Sequence, residues 1–439
     1  MTPPDLVLHA SWVLPMDPQD SVLVDHAVVI GEGRILAVLP SDTARQRYAA
    51  AREQSFPDHI LLPGFINAHT HAAMVLFRGL ADDLPLMTWL QEHIWPAEQR
   101  WVCPELIRAG TRLAALEMLR GGTLCCNDMY YFPEVTAEVL GETGMRALIG
   151  MILLDFPTVY AEGPDQYLRL GLALHERYRG HPLIRTAFAP HAPYSVADGS
   201  LTQVRALAET MEVPIHIHLH ETADEIAQSQ RAYGLRPLRR LEGLGLLGPR
   251  LIAVHMTQVT PDEIDLLATT GCQVIHCPES QLKLASGFSP VARLKDAGVN
   301  VALGTDGAAS NNDLDMLGEL RTAALLAKGV AGSPAALPAH QALRLATLDA
   351  ARALGLAEET GSLEPGKSAD LIAVDLGQPE TQPVYNPVSQ LVYAASRSQV
   401  RQAWVAGCQL LRDGQPTGLD TAEILDEACY WGRRIAGAS

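Results

Sequence analysis

A chain of 439 residues, 48% apolar and 19% charged, has an ordinary globular composition and is long enough for a large barrel plus a smaller accessory unit. A formal charge of −17 with no Lys/Arg-rich block argues against a nucleic-acid or anionic-membrane surface, and no apolar run approaches a membrane span. The opening residues carry no basic signal segment, and the seven cysteines (103, 125, 126, 272, 277, 408 and 429) form no C-x-x-C pair, which predicts reduced thiols in a cytoplasmic protein.

At the N-terminal end, "DLVLHASWVL" (5–14) and "AVVIGEGRILAVLP" (27–40) read as short strands, with Gly31-Glu32-Gly33 as a hairpin turn. The same texture returns in "SADLIAVDL" (368–376) and "VRQAWVAGCQLLRDGQ" (400–415), ahead of a final helix within 420–436. These pieces predict one small β-sandwich assembled from both termini, residues 1–58 and 363–439, bracketing a larger unit at 59–362.

Within that larger unit, β-like and helical stretches alternate. Candidate strands lie at 59–69, 122–129, 145–153, 183–191, 213–221, 250–256, 272–278 and 299–306. Each is followed by room for a helix, as in "CPELIRAGTRLAALEMLRGG" (103–122). Eight such repeats predict an α/β fold, a (β/α)8 barrel of the TIM type. His69, His191, His218, His255 and Asp306 all fall at or near strand C-termini, the end of such a barrel where active sites are built.

The motifs at those ends carry metal-ligand chemistry. "PGFINAHTHAAMVLFRG" (63–79) sets His69 and His71 two residues apart, a spacing that aims both imidazoles the same way on an extended strand. Neutral imidazole is the commonest protein metal ligand. "PIHIHLHETADE" (214–225) carries His216, His218 and His220 before Glu221, and strand alternation puts all three histidines on one face without choosing among them. "AVHMTQV" (253–259) places His255 at the next strand end, and "LGTDGAASNNDLDM" (303–316) places Asp306 after the last strand among small residues. Histidines with a carboxylate around an open position are the make-up of a catalytic zinc or iron site.

Taken together, H-T-H after P-G-F-I-N, H-x-x-E on the fifth strand, His on the sixth, T-D-G on the eighth and "GSLEPGKSADL" (361–371) resemble the amidohydrolase superfamily. "RGLADDLPLMTWL" (78–90) and "HCPESQLKLASG" (276–287) are similar to its branch of 5'-methylthioadenosine and S-adenosylhomocysteine deaminases. The resemblance implies a metal-bearing (β/α)8 barrel with a β-sandwich from both termini. It makes His69, His71, His218 and Asp306 the ligands of one divalent metal ion, zinc or iron. Among the three strand-five histidines it selects His218, which Glu221 follows three residues later, and leaves His216 and His220 structural. His255 would hydrogen-bond the attacking water, Glu221 would shuttle protons, and Glu98 and His191 would contact the nucleoside, with Trp89 as a pocket wall. Two-metal relatives bridge their ions with a carboxylated lysine on the fourth strand. "TAFAPHAPY" (186–194) has no lysine, so one ion is expected. The cytidine-type zinc deaminases need P-C-x-x-C, which the chain lacks.

The expected reaction is hydrolytic deamination of an adenine ring. A metal lowers the pKa of a bound water from about 15.7 toward about 7. Asp306 would take the water's proton, and Glu221 would protonate ring N1 and then the departing ammonia. Alternatives are an S-adenosylhomocysteine deaminase, or a guanine, cytosine or triazine hydrolase. Glu98 argues against free rings, because a carboxylate suits a ribose diol. The segment 147–168 holds Asp155, Glu162 and Asp165 but no Lys or Arg to grip an amino-acid carboxylate. A methylthioether packed against Leu153 and Phe156 is therefore expected in preference to adenosylhomocysteine, unless Arg169 or a neighbouring subunit supplies the charge. The expected partner is a small purine nucleoside, with no nucleic acid and no membrane, in a homo-oligomer (dimer or tetramer).

Overall fold

The computed structural model describes residues 4–48 and 52–437. Residues 1 and 439, the outer limits expected for the terminal pieces, lie outside the described residues. The strands, in chain order, are β1 (Leu6–Val13), β2 (Leu23–Gly31), β3 (Arg34–Pro40), β4 (Arg52–Pro63), β5 (Phe65–Thr70), β6 (Thr123–Asp128), β7 (Arg146–Leu153) and β8 (Ile184–Pro190). They continue with β9 (Ile215–Leu219), β10 (Leu251–His255), β11 (Gln273–His276), β12 (Asn300–Leu303), β13 (Leu371–Asp375), β14 (Val400–Val405), β15 (Cys408–Arg412) and β16 (Gln415–Pro416).

β5 to β12 pair in sequence order as eight parallel strands. A parallel bridge between Thr70 and Asp306 closes β12 back onto β5, so the sheet is a barrel. Both faces of these strands are covered, which is why their sequences read as continuous apolar runs rather than alternating ones. Helices return the chain between strands: Pro104–Arg120 after β5, Pro133–Thr143 after β6, Pro164–Tyr178 after β7 and Asp198–Met211 after β8. Their boundaries are local chemistry. The helix Pro261–Thr270, for example, starts on a capping box of Thr260 and Glu263 with Pro261 at its first position.

The terminal strands form one sheet in the order β16-β15-β14-β13-β4-β1-β2-β3. It curls over on itself, because Arg34 at the start of β3 bridges back to Ser368 just before β13. The enclosed layer is apolar, with Leu6, Leu8, Val28, Ile35, Leu61, Leu371 and Trp404 fully or almost fully buried together. Alternation then gives each strand a second use. Leu371 and Ala373 of β13 face that core, while Ile372 and Val374 join the large core shared with the barrel. The β2–β3 hairpin turns through Glu32 and Gly33, both at positive φ as a type I′ turn requires.

One expectation is revised. The run 59–69 reads as one barrel strand, but the chain changes partner at Gly64. Residues up to Pro63 pair with β1 and β13 in the terminal sheet, and only Phe65 onward pairs with β6. The division at residue 58 thus falls inside β4. Buried Arg146 and Asp370, with half-buried Glu359, tie the barrel to the terminal sheet, with Arg146 Nε–Asp370 Oδ2 at 2.9 Å and Arg146 Nη1–Glu359 Oε1 at 2.7 Å. No helix among the described residues is long and apolar enough to cross a membrane.

Candidate active site

Three parts of the barrel mouth converge. β5 carries His69 and ends at Thr70, with His71 immediately after it. β9 carries His218, and Asp306 follows β12 with left-handed backbone, φ +61°. Gly304 allows this approach, since a Cβ there would lie 2.7 Å from the His69 backbone nitrogen. One nitrogen from each of His69, His71 and His218 and one Asp306 oxygen lie within 4.8 Å of one another. Asp306 Oδ1 is 3.2 Å from His69 Nε2 and 3.1 Å from His71 Nε2. Its Oδ2 accepts hydrogen bonds from Ser280 (2.6 Å) and Ser310 (2.9 Å), which leaves Oδ1 facing the histidines.

The ring nitrogens facing away from the cluster are engaged. His71 Nδ1 donates to the Met129 carbonyl, and His218 Nδ1 donates to the His191 carbonyl at 2.7 Å. His69 Nδ1 meets Nε2 of His216 at 2.9 Å. Such outer partners orient a ligand ring and decide its tautomer. Burial alone would raise the Asp306 carboxyl, but the adjoining His69 and His71 rings outweigh it and hold the group well below the usual carboxylate range. Burial, then the neighbouring His69 and His191, pushes His218 well below the usual imidazole range. An ionised carboxylate and imidazole lone pairs converging on one point suit a divalent cation. The residues fit one ion. β8 contributes no lysine that could bridge a second.

Glu221 lies just past β9, with 6% of its surface exposed. Its backbone N–H donates to Glu225 Oε2 (2.7 Å) and that of His220 to Glu225 Oε1 (3.0 Å), so Glu225 sets the path of this turn. Burial, then the nearby Asp306 and Glu225 carboxylates, raises Glu221 well above the usual carboxylate range. His255 ends β10 at φ +78°, and its Nε2 is 3.8 Å from Glu221 Oε2. Burial lowers it to about 3, so it stays neutral.

These groups open into a cleft lined largely by apolar side chains such as Trp89, Ile152 and Leu154. Glu98 lines it, accepting a hydrogen bond from Tyr130 at 2.8 Å, and burial pushes its carboxyl up to about 7. Trp89 is also in the wall, its indole N–H donating to the Ala81 carbonyl at 3.1 Å. His191 lines the cleft with Nδ1 2.9 Å from Ser195 Oγ, and burial lowers it to about 3. All the candidate residues thus share one cleft or its metal-ligand cluster. Reading the sequence alone misses Tyr130, Glu225, Ser280 and Ser310, whose signals are single polar residues without periodicity.

Several local expectations are corrected. His220 does not share a face with His216 and His218. β9 stops at Leu219, and a left-handed backbone at His220 turns its ring to accept from Leu238 N (2.9 Å). Leu153 packs in the core, and its neighbours Ile152 and Leu154 line the cleft instead. Asp155 spends its carboxylate on Ser200 Oγ (2.6 Å) and Ala197 N at the start of the helix Asp198–Met211. Phe156 stays at the rim, 42% exposed, in an adjoining cleft that shares Trp95, Glu98 and Tyr131 with the first. Arg169 lines neither cleft, and no Lys or Arg does among the described residues.

A closed (β/α)8 barrel with a His, His, His, Asp cluster at its mouth is the frame of a metal-dependent hydrolase. Residues 60–410 match the amidohydrolase family, and the chain belongs to it. It is 49% identical to the 5-methylthioadenosine/S-adenosylhomocysteine deaminase of Teredinibacter turnerae, over 98% of each chain. Among solved structures it is similar to an adenosine deaminase from Xanthomonas campestris with bound zinc, at 53% identity, a TM-score of 0.98 and 99% coverage of both chains. It is also similar to the atrazine chlorohydrolase of Arthrobacter aurescens complexed with zinc, at 25% identity and a TM-score of 0.90, over 97% of this chain and 100% of that one.

Proposed function

We propose that this chain hydrolytically deaminates the adenine ring of 5'-methylthioadenosine, and adenosine more weakly, to the inosine analogue and ammonia. The observation that carries this reading is one cleft holding the ligand cluster, the buried acid Glu221 and, on its wall, the carboxyl of Glu98. The names of the deaminase relatives support it. One divalent ion on His69, His71, His218 and Asp306, zinc before iron, would activate the attacking water. Asp306 takes the proton the water gives up, and His255 orients that water. Glu221 gives a proton to ring N1 as C6 is attacked and takes up the C6 hydroxyl proton as the carbonyl forms, while the proton held on Asp306 passes to the amine nitrogen as the C–N bond breaks and ammonia leaves. Glu98 binds the ribose diol, with His191 and Trp89 beside the nucleoside.

The far end of the substrate decides between the relatives' two named nucleosides. A charged hydrogen bond to a carboxylate contributes roughly 1.5–3 kcal/mol. The two clefts offer no cation for one, whereas Ile152 and Leu154 offer apolar surface to a thioether. The test is ammonia release from methylthioadenosine, adenosine, adenosylhomocysteine and guanine side by side, with elemental analysis of the purified protein. The expected order of kcat/KM is methylthioadenosine, adenosine, adenosylhomocysteine, with one metal ion per chain. Adenosylhomocysteine equal to or above methylthioadenosine would overturn the substrate assignment, and two tightly held ions would overturn the mononuclear site. A cytoplasmic homo-oligomer, dimer or tetramer, completes the proposal and is checked by light scattering on the purified chain. The domain division we propose is a terminal sheet from both chain ends, its N-terminal part running through Pro63, around a barrel from Phe65 to near residue 362.

A further inference from the structure

We propose that His216 is a positioning residue for the metal centre: its neutral Nε2 accepts the Nδ1 proton of His69 and so keeps the His69 Nε2 lone pair aimed at the ion. The sequence alone leaves His216 as filling, and the inference rests on the metal-centre reading above.

The three histidines of the cluster differ in what holds their outward nitrogens. His71 and His218 use carbonyl oxygens of Met129 and His191, residues just beyond the ends of β6 and β8. His69 lies within β5 and is fully buried. Among the described residues the partner of its Nδ1 is a side chain and not a carbonyl. The side chain present is His216, on β9 in register with Ile252 of β10, with its Nε2 2.9 Å from His69 Nδ1 and the rings 4.9 Å apart at 80°.

The tautomers then follow. His69 Nε2 faces Asp306 and the cluster, so it must be free of hydrogen to bind a cation, and its proton sits on Nδ1. That proton points at His216 Nε2, which must be the bare nitrogen of a neutral ring. The His216 proton is therefore on Nδ1, and that atom is buried without a partner among the described residues. A residue kept only for packing would not leave a polar atom orphaned at 0% exposure, since a leucine fills comparable space with none. The orphan is the consequence of serving His69 on the other side.

The experiment measures zinc affinity by chelator competition, and the melting temperature of the metal-free protein, for wild type, His69→Ala, His216→Leu, His216→Gln and His216→Asn. Glutamine carries an acceptor oxygen at about the reach of Nε2, and asparagine is too short. The inference expects about 10–100-fold weaker zinc binding in His216→Leu. His216→Asn should be as weak, and His216→Gln should regain most of the affinity. Metal-free His216→Leu exchanges the orphaned His216 nitrogen for an unpartnered His69 Nδ1, so its melting temperature serves to show that the variant is folded. Unchanged zinc affinity in His216→Leu, or equal loss in the glutamine and leucine variants, overturns the positioning role. Should His216→Leu not fold, the glutamine and asparagine pair makes the same comparison. If instead wild type takes up no zinc, or His69→Ala keeps it, the metal-centre reading itself fails.

Discussion

Replacing Glu221 with glutamine isolates proton transfer from every other property of the site. The two side chains have the same shape, and burial raises the Glu221 carboxyl well above the usual range, so a neutral amide replaces a group whose surroundings favour its neutral form. The turn that carries it is fixed through its backbone by Glu225, which the change does not touch. Glu221 lies outside the ligand cluster, so metal content should stay the same. The glutamine amide can still donate a hydrogen bond to a ring nitrogen but cannot give the proton up. KM should therefore move little while kcat falls by the contribution of a general acid, about 10²–10⁴-fold, or about 2.7–5.4 kcal/mol in the barrier. The assay follows the change in ring absorbance on deamination of methylthioadenosine, with metal content measured on the same preparation. A kcat within tenfold of wild type would refute the reasoning and move proton delivery to another group. Loss of the metal would make Glu221 a ligand.

Glu98→Gln should raise KM for adenosine by about 10–100-fold with kcat nearly unchanged, since it weakens a charge-assisted bond made equally in ground and transition states; a fall confined to kcat would contradict this. Gly304→Ala forces a Cβ to within 2.8 Å of the His69 Cβ, and overpacking of this kind costs about 1–3 kcal/mol, readable as a lower urea midpoint together with weaker zinc retention. Arg146→Met strands the buried Asp370 carboxylate and should cost about 3–5 kcal/mol in urea unfolding, with kcat per folded molecule unchanged because the group lies far from the cleft lining.

The barrel was legible because strands covered on both faces must be apolar along their whole length, and the polar residues that end them stand out. The same uniformity hid the break at Gly64. "HILLPGFINAH" is largely apolar on both sides of it, so the five residues His59–Pro63 that pair with β13 read like the residues from Phe65 onward that pair with β6. Strand alternation also misjudged His220, since a single left-handed residue past Leu219 cancels the period on which the reading rested.

By itself the sequence determined the kind of donors available, three imidazoles and a carboxylate with an acid following, together with the spacing that makes His69 and His71 neighbours. Only the tertiary structure decided that these donors meet. His69 and Asp306 are 237 positions apart, and they touch because β12 closes onto β5 through the Thr70–Asp306 bridge. It also decided which nitrogen of each ring faces the cluster. That choice belongs to the Met129 carbonyl, the His191 carbonyl and His216, and each of these is brought there by a different strand. Side-chain identity is a local property, whereas lone-pair direction is set by partners that only the closed barrel supplies.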